Sequence, residues 1–120
     1  MKDPKSKLRS LLMPQGPHHP TWTPSADVYR TENSWVVKLD LAGVAPEDVN
    51  IEMRSSTLVI SGVRRDRLVG ESYVPYTMEI FYSRFERTFE LPVKEEQVSI
   101  KKEHRDGMLL VVATEVLNGD

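Results

Sequence analysis

The sequence predicts an all-β fold, an antiparallel β-sandwich. Short segments alternate between apolar and polar residues, as strands do when one face is buried and the other meets water. Turn-forming residues separate these segments at regular spacing, and no stretch shows a convincing amphipathic helix of three turns. The 120 residues suit a single domain, and a hydrophobic content of 39% is enough to cover one sandwich core.

The first predicted elements are a half-buried strand and a hairpin. Alternation begins at Ala26, and the apolar face of the strand then carries Trp35, Val37, Leu39 and Leu41. A second alternating segment, 49–53, reaches a turn at Ser55-Ser56 and continues through 57–61, which predicts the hairpin.

A further hairpin is predicted near the end of the chain. It runs from Val98 through the turn Arg105-Asp106-Gly107 to Val112.

Residues 62–83 form an irregular segment that is too long for a hairpin loop. The segment carries six large apolar or aromatic side chains: Tyr73, Tyr76, Met78, Ile80, Phe81 and Tyr82. Connections of about twenty residues are uncommon in compact domains unless they are functional or contain an element of their own. Two interpretations are open. Residues 74–80 form a strand that folds back on its own domain, or this strand pairs with the edge of a second subunit, which would remove two exposed edges at once.

Arg87 interrupts an otherwise apolar strand face that carries Phe85, Phe89 and Leu91. A buried guanidinium needs an acidic partner or several carbonyl groups, and arginine is favoured at interfaces because its planar group binds carboxylates through two hydrogen bonds. Two interpretations are again open. Arg87 lies at an interface, or it reaches solvent from a bulge or an edge position.

Charge and composition exclude several functional classes. The net charge is −2; the first 24 residues carry +3, which leaves −5 for the remainder. An acidic body lacks the basic face that displaces counterions from phosphates, so we expect no nucleic-acid partner. The sequence has no cysteine, which excludes disulfides, thiol catalysis and Cys-ligated zinc and favours a reducing compartment, with the cytoplasm as the default.

Residues 1–24 predict a flexible N-terminal arm, because five prolines restrict the backbone and remove hydrogen-bond donors. The only apolar stretch of the arm, Leu11-Leu12-Met13, is too short for a signal peptide or a membrane span, so we expect no membrane association. The predicted domain covers residues 25–114, and residues 115–120 form a short C-terminal tail.

Five sequence blocks occur in order between about residues 23 and 114: Trp35 to Val44, Glu47-Asp48-Val49, Leu58 to Gly62, Arg84 to Pro92, and Gly107-x-Leu109. Together they resemble the α-crystallin domain of small heat-shock proteins, the Hsp20 family, in its bacterial class. The resemblance implies an immunoglobulin-like sandwich whose long loop exchanges a strand within a homodimer. It also implies an ATP-independent holdase that binds unfolding client proteins.

The resemblance also implies where the subunits meet. Arg87 falls at the interface arginine of the family, which favours the interface interpretation. We therefore expect the dimer interface to contain Phe85, Arg87, Tyr76, Met78 and Ile80.

Family members usually dock a C-terminal Ile-x-Ile/Val motif into a groove of a neighbouring subunit. The corresponding residues are Ile51 and Met53 on one strand and Ile100 and Lys102 on another. Lys102 departs from the alanine that is common there, so we expect the groove to be less hospitable to an apolar tail. Residues 114–120 show neither the motif nor the usual Pro-Lys pair, so we expect a dimer or small, heterogeneous oligomers rather than a large cage.

No pattern in the sequence indicates an enzyme. The segment 70–74 lacks the second glycine of a nucleophile elbow, and no glycine-rich phosphate loop is followed by Lys-Ser/Thr. His18-His19 lack an evident third ligand, and we expect His104 to be an exposed strand-end residue. We therefore expect no catalytic residue, no cofactor and no metal site.

A dimeric holdase is the predicted function. Apolar side chains of the arm and of the sheet edges would bind clients. Flexible Leu and Met side chains suit this role because they repack against many shapes. These arm residues are Leu8, Leu11, Leu12, Met13 and Trp22. In an open alternative, the arm folds back on its own sandwich. The second candidate function is a monomeric cochaperone-like adaptor that binds one defined partner, and the native mass in solution separates the two functions.

Overall fold

The computed structural model describes residues 22–68, 72–93 and 97–116. These residues form two antiparallel sheets, so the predicted all-β sandwich is confirmed. The strands are β1 (Ala26–Arg30), β2 (Ser34–Asp40), β3 (Val49–Arg54), β4 (Thr57–Val63), β5 (Arg84–Glu90), β6 (Val98–Arg105) and β7 (Met108–Glu115), with a 3-10 turn at Pro46–Asp48.

One sheet has four strands in the order β1-β2-β7-β6, and the other has three in the order β3-β4-β5. The edge strands are therefore β1 and β6 in the first sheet and β3 and β5 in the second. The alternation that begins at Ala26 comprises two strands, because the chain turns between Thr31 and Ser34, where the Thr31 N–H donates to the Ser34 carbonyl at 2.8 Å.

The core lies between the two sheets. Residues that face each other across neighbouring strands point to the same side, and the paired positions Val37 with Val111 and Leu58 with Phe89 are buried. The strand face predicted from Trp35 to Leu41 is the inner face, with Val37 and Leu39 fully buried. The remaining buried apolar residues are Leu41, Val49, Ile60, Phe85, Leu91, Val93, Leu109 and Ala113.

Two turns close the predicted hairpins. Asp106 and Gly107 have φ values of 51° and 79° between the paired residues Arg105 and Met108. Two successive left-handed residues make the tight turn whose twist matches that of the flanking strands. Ser55 has a φ of 56° in the turn between β3 and β4.

Gly62 lies near the end of β4, where the neighbouring strands of the same sheet crowd it just before the long loop. A Cβ atom there would lie 2.3 Å from the Asp48 carbonyl oxygen and 2.8 Å from Phe85 Cζ. Only glycine permits this approach without a shift of the backbone. No helix in the described ranges is long and apolar enough to cross a membrane.

Candidate functional site

The hydrogen bond of Arg87 shows how the two sheets are aligned. Arg87 lies opposite the buried Ile60 on the inner face of β5, and its Nη1 donates to the Pro24 carbonyl at 2.6 Å. Pro24 precedes β1, so the edge strands β5 and β1 lie on one side of the sandwich and β3 and β6 lie on the other. We call these the loop side and the groove side.

The environment of Arg87 combines features of both interpretations. The face predicted for Arg87 is confirmed, and its strand is an edge strand in the single chain. The side chain is half-buried, and its Cζ lies 5.1 Å from the centroid of the Phe89 ring. Among the described residues it has no carboxylate within ion-pair distance, and the Pro24 carbonyl accepts its hydrogen bond. An interface role for Arg87 stays a prediction.

Arg64 holds the base of the long loop and was not singled out from the sequence. Its Nε donates to the Phe81 carbonyl at 2.8 Å, and its Nη1 donates to the Ala42 carbonyl at 3.2 Å. Its Cζ lies 3.8 Å from the Trp22 ring centroid, a close cation–π contact. Arg64 thus connects the two ends of the loop to the β2–β3 connection and to the end of the arm. Backbone carbonyls carry no sequence signal, so no pattern could have indicated this role.

Trp22 and Phe85 form an aromatic pair beside Arg64, with ring centroids 5.3 Å apart at an interplanar angle of 74°. Phe85 is only 2% exposed, so it belongs to the core of its own sandwich rather than to a contact surface for a second subunit. Trp22 is half-buried against the core although it was predicted to bind clients. The other predicted client-binding residues, Leu8, Leu11, Leu12 and Met13, lie outside the described residues.

Asp48 anchors the first residues of the loop. Its Oδ2 lies 3.2 Å from Arg65 Nε and 3.7 Å from Arg67 Nη2. The Asp48 side chain is 15% exposed, so these are the most sheltered ion pairs among the described residues. They tie residues 65–67 to the 3-10 turn.

The middle of the loop presents apolar side chains to solvent. Val74 is 80% exposed, Tyr76 is fully exposed, and Ile80 is more than half exposed, whereas Met78 is half-buried. Residues 72–83 contain no strand, and only Tyr73 makes an isolated bridge. Residues 74–80 therefore do not form a strand with their own sandwich.

The groove side brings the predicted groove residues onto two unpaired edges. Ile51 and Met53 on β3 and Ile100 on β6 are half-buried and contact the core, as does Val98. Lys102 is exposed and lies opposite the inward-facing Val111, so it shares the face of Ile100. His104 is exposed, as predicted.

Within ranges 22–68, 72–93 and 97–116, no three His, Asp or Glu side chains lie close enough together to hold a metal ion. His18 and His19 lie outside these ranges.

Comparison with known proteins assigns the family. The model of the Hsp20/alpha crystallin family matches residues 27–118. The chain belongs to the Hsp20/alpha crystallin family. The resemblance inferred from the five sequence blocks is confirmed. Members of the Hsp20 family are non-enzymatic chaperones, which agrees with the expectation that the chain is not an enzyme.

Similar Hsp20 proteins come from distant organisms. The 19.0 kDa class II heat shock protein of Oryza sativa is 36% identical over 88 residues, which cover 68% of this chain and 50% of that protein. Spore protein SP21 of Stigmatella aurantiaca is 28% identical over 95 residues, 79% of this chain and 55% of that protein. The solved structure of heat shock protein 16.0 from Schizosaccharomyces pombe has a TM-score of 0.66 at 27% identity and covers 82% of this chain and 92% of that one. The chain spans about half the length of these two curated relatives.

Proposed function

We propose that this chain is an ATP-independent holdase that binds partly unfolded proteins and suppresses their aggregation. The observation that carries the proposal is the exposure of large apolar side chains outside the dimer contact proposed below, Leu68, Tyr73 and Phe81, together with strand edges that are unpaired among the described residues. Exposed apolar residues attract the apolar segments that an unfolding protein presents. An unpaired strand edge offers hydrogen bonds to an extended backbone. Family membership supports the same function.

We also propose that two copies form a homodimer by exchanging the loop. Among the described residues, 74–80 pair with no strand of their own chain, and β5 has no neighbour on its outer edge. If the loop of each copy adds a strand to β5 of the other copy, one symmetric contact covers the β5 edges of both copies. Tyr76, Met78 and Ile80 would lie in this contact together with Arg87.

The remaining sites of the proposal are the arm and the groove. Leu8, Leu11, Leu12 and Met13 would add flexible apolar surface for clients. Ile51, Met53, Ile100 and Lys102 would form a docking groove for an extended segment. The lack of cysteine in the sequence supports a reducing compartment such as the cytoplasm.

An aggregation assay tests the holdase proposal. Near-stoichiometric protein should slow the heat-induced aggregation of a model client equally with and without ATP, because the sequence has no nucleotide-binding motif. The double variant Tyr73→Ser, Phe81→Ser, outside the proposed dimer contact, should protect less. Val28→Ser, Tyr29→Ser is the matched control, since these side chains are nearly as exposed as Tyr73 and Phe81 but lie on β1.

Three results would contradict the proposal: a strict requirement for ATP, no protection by the unmodified chain, or equal losses in the two double variants. A monomeric mass by light scattering at every concentration would instead favour the adaptor function.

A further inference from the structure

The groove side carries an apolar surface bounded by two strand edges. The inner faces of β3 and β6 contribute Ile51, Met53, Val98 and Ile100, which contact the core and stay partly exposed. Neither strand has a neighbour on its outer edge within ranges 22–68, 72–93 and 97–116. A segment that lies along these edges in an extended conformation would place every second side chain over the apolar surface.

The charge on this face is distributed unevenly. Lys102 follows Ile100 at the next inward-facing position of β6 and is exposed. In the part of the chain that the structure describes, Lys102 has no acidic partner within 4 Å. The following inward position is His104. The apolar surface formed by Val98 and Ile100 on β6 is therefore bounded by a positive charge at Lys102.

The acidic side chains of the two edge strands do not compensate Lys102. Glu52 on β3 and Glu103 on β6 occupy the outward-facing register, and each forms an ion pair with an arginine of its own strand, Arg54 and Arg105. Glu115 of β7 shares the inner face but pairs with Val98, four residues along β6 from Lys102, which is about 13 Å in a strand. Among the described residues, no carboxylate therefore pairs with the Lys102 ammonium, which can pair with a partner bound in the groove.

The chemistry of such a partner follows from this arrangement. A wholly apolar segment would cover part of the Lys102 ammonium and remove water from it, which costs free energy. A carboxylate next to the apolar side chains would instead replace the lost water with an opposite charge. Since alternate residues of a strand lie about 6.6 Å apart, the carboxylate must lie at the next alternate position beyond the apolar pair, on the side of Lys102.

We propose that the groove selects an extended segment of another protein that has two apolar side chains at alternate positions and a carboxylate at the next alternate position, which pairs with Lys102. This inference rests on the docking groove proposed above and specifies its partner. The lysine stem extends along the apolar surface while the ammonium stays at the rim. A pair at the rim contributes to selectivity more than to affinity.

Fluorescence anisotropy with three labelled peptides tests the proposal on the full chain. The peptides share isoleucine at two alternate positions, and the alternate positions on both sides of this pair are Glu, Gln or Lys, so that either chain direction is covered. We expect the Glu peptide to bind about two- to fivefold more tightly than the Gln peptide and the Lys peptide to bind most weakly. The difference should shrink when salt rises from about 50 mM to about 500 mM, because exposed charges are screened.

Two variants with the same loss of charge provide the control. Lys102→Gln should abolish the preference for the Glu peptide, whereas Lys101→Gln should keep it, because Lys101 lies opposite Val112 on the outer face of the same strand. Equal binding of the Glu and Gln peptides to the unmodified chain would overturn the charge selectivity while leaving the groove intact. So would equal effects of the two substitutions. If none of the peptides binds, the docking groove and this inference both fail, and the holdase proposal is judged by its own assay.

Discussion

The loop side and the groove side of the sandwich differ in how they are closed. On the loop side, Arg87 bonds to the Pro24 carbonyl, Arg64 bonds to two carbonyls and stacks on Trp22, and Trp22 packs on Phe85. On the groove side, the described residues show no comparable bond between β3 and β6, and the ion pairs of those strands point outward. In the described part of the chain, both sides end in unpaired edges, but only the loop side is cross-linked between the sheets.

This difference fits the two contacts proposed above. A cross-linked side holds β5 and the ends of the loop in fixed positions, which would support the proposed strand exchange. A side closed only by half-buried apolar residues can separate slightly and admit a side chain at a low cost in free energy. The loop side is therefore suited to a durable contact and the groove side to reversible docking.

Of the substitutions on the loop side, that of Phe85 should lower the free energy of unfolding most. Phe85→Ala removes a side chain that is 2% exposed and supports Trp22, so we expect a loss of about 3–5 kcal/mol in the free energy of unfolding. Ile51→Ala on the groove side should cost only about 1 kcal/mol, because the isoleucine is only partly buried and its burial gain is smaller. Urea unfolding measures both values. Similar losses would show that the two sides are equally important to the core.

Arg87→Ala should have the next largest effect. It removes the charged hydrogen bond to the Pro24 carbonyl, which we expect to cost about 1.5–3 kcal/mol in the free energy of unfolding. Sedimentation equilibrium should also show a weaker dimer, because the start of β1 and the β5 edge are no longer tied together. Arg87→Lys should restore part of both losses, since an ammonium can donate to the same carbonyl. A dimer constant unchanged in Arg87→Ala would place Arg87 outside the subunit contact.

Arg64 and Arg65 offer a finer comparison within the loop. Arg64→Met removes two hydrogen bonds and the stack on Trp22, so we expect a loss of about 1–2 kcal/mol in the free energy of unfolding. Arg65→Met should cost less than about 0.5 kcal/mol, because Arg65 is largely exposed and Asp48 keeps Arg67. Trp22 fluorescence should shift toward that of an exposed indole in Arg64→Met alone. Equal thermal midpoints for the two variants would refute the special role of Arg64.

Alternation along the chain predicts most of the sandwich. The inward faces of β2, β3, β4, β5 and β7 follow from apolar residues at every second position, and the turns at Ser55 and Gly107 follow from their residue types. The pattern did not separate β1 from β2, because the polar turn at Thr31 to Asn33 contains neither glycine nor proline to mark the reversal. Periodicity reports which side of a strand a residue faces, and it does not report where the chain reverses.

The candidate sites were less predictable than the strands. Alternation placed Arg87 on the correct face. The family resemblance placed Lys102 beside Ile100, whose face it shares. Two hydrogen bonds of the loop side are accepted by the backbone carbonyls of Pro24 and Ala42. Every residue type has a backbone carbonyl, so these bonds leave no sequence signal. Phe85 was expected at an interface because it neighbours Arg87, but its own face is covered by the opposite sheet and by Trp22. Such contacts depend on how the two sheets stack, and a single sequence does not encode that as a local pattern.

Strand exchange at the loop side is tested most directly by cysteine cross-linking, because the sequence has no cysteine of its own. One copy of the chain, with a size tag, carries a cysteine in the loop at Val74, Tyr76, Met78 or Ile80, and an untagged copy carries Thr88→Cys on β5. After mixing and mild oxidation, at least one loop position should give a covalent dimer of tagged and untagged chains. Glu103→Cys, on the exposed outer face of edge strand β6, is the matched control and should give little product. If no loop position links to Thr88→Cys, or if Glu103→Cys links equally well, the account of the loop side is contradicted.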